Sequence, residues 1–236
     1  MSVDTSWARS AAAGAVRELL LLGVLNPLIG LYTRRQVHGR DALTAAKPPV
    51  LLVANHSSHI DTPVILRALP AAWRRRTAVA AAADYFYRVP LLAHAVSLAF
   101  NTVPVQRKGE GPVPDAASEL VRLIDEGWNL LVFAEGTRSR DGSVGRLRSG
   151  AAVLAAEHGL TIVPVYVSGT HAVMPPGRRW MRRSGGRQPI AVSFGPPIKP
   201  LDDEHRTQVM ERVRQFFEAS GAVTTPDKRV ATLGRT

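Results

Sequence analysis

Short apolar runs alternate along this chain with longer stretches whose apolar residues recur at helical spacing. The runs at 50–54 (VLLVA), 77–82 (TAVAAA), 102–105 (TVPV), 129–133 (NLLVF), 161–167 (TIVPVYV) and 190–194 (IAVSF) predict strands. Helices are predicted near 63–69, 89–99, 115–126, 149–158 and 203–219. In DAASELVRLIDE, for example, Ala116, Leu120, Leu123 and Ile124 share one face and Gly127 supplies the stop. Strands that are apolar at every position must be buried on both faces. The alternation therefore predicts an α/β fold with a central mostly parallel or mixed sheet covered by helices. Pro104 and Pro164 lack the N–H a ladder needs, so their strands should be edge, bulged or terminal. There are no internal repeats.

The N-terminus reads differently. LLLLGVLNPLIGLY at 19–32 is nearly all apolar but contains Asn26, Pro27 and Gly30. It falls short of the about 20 residues a bilayer crossing needs. It also lacks the small-residue cleavage pattern of a secretory signal. Arg9, Arg17, Arg34 and Arg35 flank it. The pattern predicts a helix, a break at Pro27 and a second short helix, lying on a membrane surface. A core helix packed on the domain is the competing reading. The division expected is a membrane-association segment at 1–36, one domain at 37–220 and a loose polar tail at 221–236.

Composition narrows the chemistry. A chain of 236 residues, 45% of them hydrophobic, suits one domain. It has no cysteine, which excludes disulfides, thiolate metal sites and a thiol nucleophile, and makes the cytosolic side of a membrane the default setting. The net charge of +11 and a sequence pI of about 11.1 favour an anionic partner. A general Ala and Arg bias of the source would produce the same skew. Arginines cluster at 74–76 (RRR) and at 178–183 (RRWMRR), the latter with Trp180 and Met181 between them. Such a cluster can meet lipid phosphates while its apolar members dip into the interface. A solvated loop has the same look. Nucleic acid would satisfy the charge too, but no helix-turn-helix, zinc finger or RNA-stacking motif accompanies it.

Two stretches carry candidate chemistry, and each follows an apolar strand. The first is NHSSHID, 55–61, at the carboxyl end of a strand, where α/β proteins set their sites. Residues five apart on a regular helix point about 140° away from each other. His56 and Asp61 can therefore meet only if the segment begins as a turn and becomes helix after the serines. Ser58 to Asp61 fits a capping box, and Pro63 is tolerated in a first turn. Three readings stay open here: a cap alone, a His56–Asp61 dyad in which Asp61 orients the imidazole and His56 takes a proton, or a metal site of His56, His59 and Asp61. The second stretch is FAEGTRSRDG, 133–142. Its glycine, main-chain N–H groups, Thr137 hydroxyl and Arg138 guanidinium suit an oxyanion or phosphate. A Walker lysine and a GxSxG elbow are both missing, which argues against nucleotide hydrolysis and serine hydrolase chemistry.

Together and in this order, Asn55-His56-Ser57-Ser58-His59-Ile60-Asp61 and Phe133-Ala134-Glu135-Gly136-Thr137-Arg138-Ser139 resemble the glycerolipid acyltransferases of the lysophosphatidic acid acyltransferase (PlsC-like) type. A middle block, Asp84 to Pro90 through Asn101 to Arg107, and a fourth, Ile162-Val163-Pro164-Val165, extend the likeness to 50–165. Ala134 stands where proline is common, a lysine before Asp84 is missing, and Ala93 and Asn101 replace frequent glycines. These departures bear on which acceptor is used. The resemblance implies that His56 is the general base and Asp61 orients it. The free hydroxyl of 1-acyl-sn-glycerol 3-phosphate would attack the thioester of acyl-CoA or acyl-ACP, with no covalent acyl-enzyme. Glu135, Gly136, Thr137, Arg138 and Arg107 would bind the acceptor, the two arginines at its phosphate. The resemblance implies no metal and no organic cofactor. It implies a peripheral or monotopic enzyme on the cytoplasmic face of the cell membrane, in contact with an anionic surface. A glycolipid, another lysolipid or a secondary-metabolite hydroxyl remains an alternative acceptor.

Overall fold

The structure, a computed structural model, describes residues 4–82, 89–105, 116–183, 185–201 and 203–224. Seven strands form one sheet: β1 (Thr33–His38), β2 (Val50–Ala54), β3 (Thr77–Ala82), β4 (Thr102–Val105), β5 (Asn129–Phe133), β6 (Thr161–Ser168) and β7 (Gln188–Phe194). Their order is β1-β7-β6-β2-β5-β3-β4. All neighbours are parallel except β6 and β7, which run antiparallel. The sheet is thus mixed and mostly parallel, as the apolar strands require.

β2 lies at its centre, and the period of two explains its unbroken VLLVA. Val50, Leu52 and Ala54 join Val163, Val165 and Val192 in a core on one face. Leu51 and Val53 join Leu130, Ile162 and Phe217 on the other. The first core is closed by α4 (Asp61–Ala68) and by the N-terminal helix. The second is closed by α7 (Ala116–Asp125), α8 (Gly150–Glu157) and α10 (Arg206–Ala219), numbering among the described helices. Beyond the N-terminal segment, the other described α-helices are α3 (Asp41–Ala45), α5 (Ala71–Arg75), α6 (Pro90–Phe100) and α9 (Thr170–Val173).

The two prolines behave as their chemistry demands. Pro104 is on β4, an edge strand. Pro164 is on β6, a central strand, but at a bulge against the chain after β7. Ile162 bridges Ile198 while Val165 pairs with Phe194, so three steps on one side face four on the other. Among the described residues one strand escaped the apolar pattern: β1, TRRQVH, alternates more and less buried positions at the sheet edge and carries too few apolar residues to signal itself. The boundary expected at residue 36 falls inside it. At the other end Val144 bridges Thr224, which joins the first tail residues to the domain; 225–236 lie outside the described residues.

The break expected at Pro27 is absent. Helix runs from Ala11 to Tyr32 as α1 (Ala11–Leu19), a π-helical stretch Leu20–Leu25 and α2 (Asn26–Tyr32). Proline lacks an N–H and crowds the preceding turn. Pro27 is the second residue after the widened π stretch, in the first turn of α2, where both costs are absorbed, so the helix continues. The result is 22 residues, long and apolar enough by length and composition to cross a membrane, which corrects the shorter reading. Leu21 and Ile29 are buried on the domain, while Leu19 is 70% and Leu31 62% exposed.

Asn101 shows how one departure from the family pattern is accommodated. It caps α6 in the left-handed region, at φ 54°. Asparagine is among the few side chains that enter this region readily. Its buried side-chain Nδ2–H donates to the Thr77 carbonyl at 3.1 Å, and the main-chain carbonyl of Asn101 accepts from Val79 N–H at 3.0 Å. Ala93 is wholly buried in the same helix.

Candidate active site

β2 ends at Ala54, and the chain turns before α4 begins at Asp61. Asn55 secures the turn's entry. Its side chain donates to the Val167 carbonyl at 2.9 Å and accepts from Val167 N–H at 2.7 Å. A side-chain amide thereby extends the β2–β6 ladder by one rung after the main chain has left it. Ser57 Oγ lies 3.3 Å from Thr170 Oγ1, and Ser58 Oγ donates to the Met174 carbonyl at 2.7 Å.

The turn-to-helix junction brings His56 and Asp61 together. His56 Nδ1 lies 2.9 Å from Asp61 Oδ2. The same oxygen accepts from Ser57 N–H at 2.7 Å and Ser58 N–H at 2.8 Å. Only half of the expected capping box forms. Asp61 reaches back to Ser58 N–H, but Ser58 Oγ accepts from Ile60 N–H at 3.3 Å, one residue early. Asp61 is fully buried, and its Oδ1 has no partner among the described residues. Three donors thus converge on one carboxyl oxygen. A carboxylate accepting from Nδ1–H leaves Nε2 as the basic atom of the ring. The ring stacks on Phe133, the last residue of β5, at a centroid distance of 3.9 Å and an interplanar angle of 19°.

The second motif grips the backbone of the first. Glu135 Oε1 accepts from His56 N–H at 3.0 Å, and Ser139 N–H donates to the His56 carbonyl at 2.8 Å. Both main-chain polar groups of His56 are therefore held by the E-G-T-R-S turn. Glu135 Oε2 accepts from Gly145 N–H at 2.8 Å. Burial raises the pKa of Glu135, against the opposing pull of these two N–H donors. Gly136 sits at φ +69°, and a Cβ there would come within 2.8 Å of Arg148 Nε, which donates to the Glu135 carbonyl. Thr137 is exposed beside it. Arg138 Nη1 contacts the ring nitrogens of His59. Burial, then the charge of Arg138, lowers the His59 pKa to about 4, so this imidazole is neutral at pH 7. A guanidinium against His59 also opposes a cation at the His56, His59 and Asp61 set. His171 braces the far side of the turn through Nε2–H to the Arg140 carbonyl at 3.0 Å.

Of the expected site residues, His56, Asp61, Glu135, Gly136, Thr137 and Arg138 thus lie in two adjoining turns. Arg107, Gln106 and the stretch Asp84 to Arg88 lie outside the described residues. Sequence reasoning missed three supports. Asn55 was visible beside His56, Phe133 opens the second motif, and Ser139 acts through its backbone, which no residue type announces.

A polarised imidazole at the C-terminal end of a central parallel strand, with a cationic turn beside it, suits proton removal from a substrate bearing an anionic group. A family model described as Acyltransferase matches residues 34–168, from β1 to the end of β6 and including both motifs, and the chain belongs to that family. Among its relatives, the chloroplastic 1-acyl-sn-glycerol-3-phosphate acyltransferase of Brassica napus is 27% identical over 184 residues, covering 76% of this chain and 51% of its own length. The 1-acyl-sn-glycerol-3-phosphate acyltransferase of Limnanthes douglasii is 31% identical over 157 residues, 66% of this chain and 52% of its own. The chain spans about half the length of the curated relatives it matches. The crystal structure of the 1-acyl-sn-glycerophosphate (LPA) acyltransferase PlsC from Thermotoga maritima has the same fold. The TM-score is 0.67 at 22% identity, covering 96% of this chain and 86% of that one.

Proposed function

We propose that the protein transfers a fatty acyl group to the free hydroxyl of 1-acyl-sn-glycerol 3-phosphate, giving phosphatidic acid for phospholipid biosynthesis. The donor is an acyl thioester, acyl-CoA or acyl-ACP. His56 Nε2 takes the hydroxyl proton as the oxygen attacks the thioester carbonyl. The C–S bond breaks, the thiolate leaves, and the proton passes from His56 to the thiolate. No acyl-enzyme forms. Asp61 fixes the tautomer and stabilises the imidazolium, and Glu135 acts on His56 through its backbone. Gly136, Thr137 and Arg138 receive the acceptor, with Arg138, and Arg107 by resemblance, at the phosphate. The observation that carries this reading is the 2.9 Å contact between His56 Nδ1 and the buried Asp61, set in the turn gripped by Glu135 and Ser139.

The enzyme works as a peripheral or monotopic protein on the cytoplasmic face of the cell membrane. The 22-residue helix with exposed Leu19 and Leu31 supports this, because both acyl-bearing substrates reside in or near a bilayer. The test is the purified protein given a panel of lysolipids and glycolipids with acyl-CoA and acyl-ACP. We expect the largest kcat/KM with 1-acylglycerol 3-phosphate, and Arg138→Ala to lower it by about 2–4 kcal/mol of transition-state binding. A larger kcat/KM for a phosphate-free acceptor, unaffected by Arg138→Ala, would overturn the acceptor assignment.

A further inference from the structure

The arginine-rich loop between β6 and β7 is not used by the chemistry above. Arg178, Arg179, Trp180, Arg182 and Arg183 are all exposed, Trp180 to 58%, while Met181 is buried and pins the loop to the first core. Positions 158 to 201 contain six Arg or Lys residues and no Asp or Glu. Among the described residues none of Arg178, Arg179 and Arg183 has an ion-pair partner. A run of unpaired arginines around an exposed tryptophan is poorly suited to water alone, but fits a surface that is anionic outside and apolar beneath.

Two contacts decide where this loop faces. Trp180 Nε1–H donates to Tyr32 Oη at 3.1 Å, which joins the loop to the end of the apolar helix beside exposed Leu31. Positions 19 to 40 are also free of Asp and Glu, so the joined surface carries no carboxylate from either segment. On its other side the loop leads into the catalytic turn. Arg182 N–H donates to the Val173 carbonyl at 2.9 Å, and the adjacent Met174 carbonyl accepts from Ser58 Oγ at 2.7 Å. The basic loop therefore lies between the apolar helix and the turn that holds His56.

We propose that the loop Arg178–Arg183 is a headgroup-level anchor for an anionic phospholipid leaflet: Arg178, Arg179 and Arg183 meet lipid phosphates, Trp180 enters the interface beside Tyr32, and the catalytic turn is held at headgroup depth. The purpose rests on the acceptor being a bilayer lipid; the binding itself does not.

Vesicle sedimentation of the full chain tests it. The vesicles are phosphatidylcholine alone, or phosphatidylcholine with phosphatidylglycerol at about a third of the lipid. Each arginine near an anionic surface contributes about a fivefold gain in affinity, so Arg178→Gln/Arg179→Gln/Arg183→Gln should weaken binding to the mixed vesicles by about 100-fold. Binding to phosphatidylcholine alone should hardly change, since the apolar helix is intact. Trp180→Phe should remove most of the fluorescence quenching caused by brominated lipid. Turnover of a short-chain, water-soluble acceptor should be the same in all three proteins, which excludes misfolding. Unchanged affinity of the triple variant for the mixed vesicles, or loss of affinity for a DNA duplex without loss for vesicles, overturns the proposal. Failure of the acyl transfer itself leaves the vesicle result readable and strikes only the proposed function.

Discussion

At the residue scale, the site depends on one histidine held from three directions. Asp61 fixes the ring at Nδ1, Phe133 covers a face, and Glu135 and Ser139 hold the main chain. Glu135 binds His56 rather than facing outward, so its removal should act through His56. Glu135→Gln turns an amide donor toward one of two backbone N–H groups. It should cost about 1–3 kcal/mol of stability and lower kcat about tenfold. In a His56→Ala background the rate effect should vanish. A rate loss that persists there would make Glu135 a direct participant. His59 makes a separate prediction. Its folded pKa of about 4 lies below the ordinary imidazole value of 6.5. As the pH falls below 6.5 the unfolded chain takes a proton that the folded protein refuses until about 4, so stability declines across that window. Glu135, with its raised pKa, acts in the opposite sense. Urea midpoints for wild type and His59→Gln between pH 7 and 5 separate the two. The variant should lose less stability on acidification, and parallel curves would show that His59 carries none of the slope.

At the scale of elements, the central strands were legible because they are apolar on both faces, as a central parallel strand must be, and β7 because Ile190, Val192 and Phe194 alternate on one face. β1 was not, since an edge strand with one wet face needs only Thr33, Arg35 and Val37 turned inward. The continuous N-terminal helix was hidden by Pro27, whose effect depends on the π stretch just before it, and no residue pattern marks that stretch. In the site, spacing set only the condition for a His56–Asp61 meeting, a turn-to-helix junction, because residues five apart do not share a helix face; it left a cap, a dyad and a metal site open. The interlock between the two motifs could not be read, because it runs through backbone groups of His56 and Ser139. Asn55 ties the first motif to β6, and the prediction belongs to that joint. Asn55→Ala leaves Val167 N–H and C=O without their buried partners and should cost about 2–4 kcal/mol. A melting temperature lowered by about 4–16 °C would match. A change under 2 °C would mean that water or a main-chain shift replaces the amide.

At the scale of the whole molecule, the exposed helix face, the carboxylate-free loop and the turn bearing His56 lie in sequence along one surface. The net charge of +11 would make the proposed association with an anionic bilayer salt-dependent, and raising the ionic strength from 0.01 to 0.15 M shortens the Debye length from about 30 to about 8 Å. All of this would only deliver the protein to a membrane; the proposed chemistry rests on His56. The direct measurement is the initial rate of acyl transfer from acyl-CoA to 1-acylglycerol 3-phosphate in vesicles. Wild type and His56→Ala are compared, both shown to be folded by circular dichroism. The rate should fall by at least about 10²–10⁴-fold in the variant. A variant that retains the wild-type rate would contradict the account.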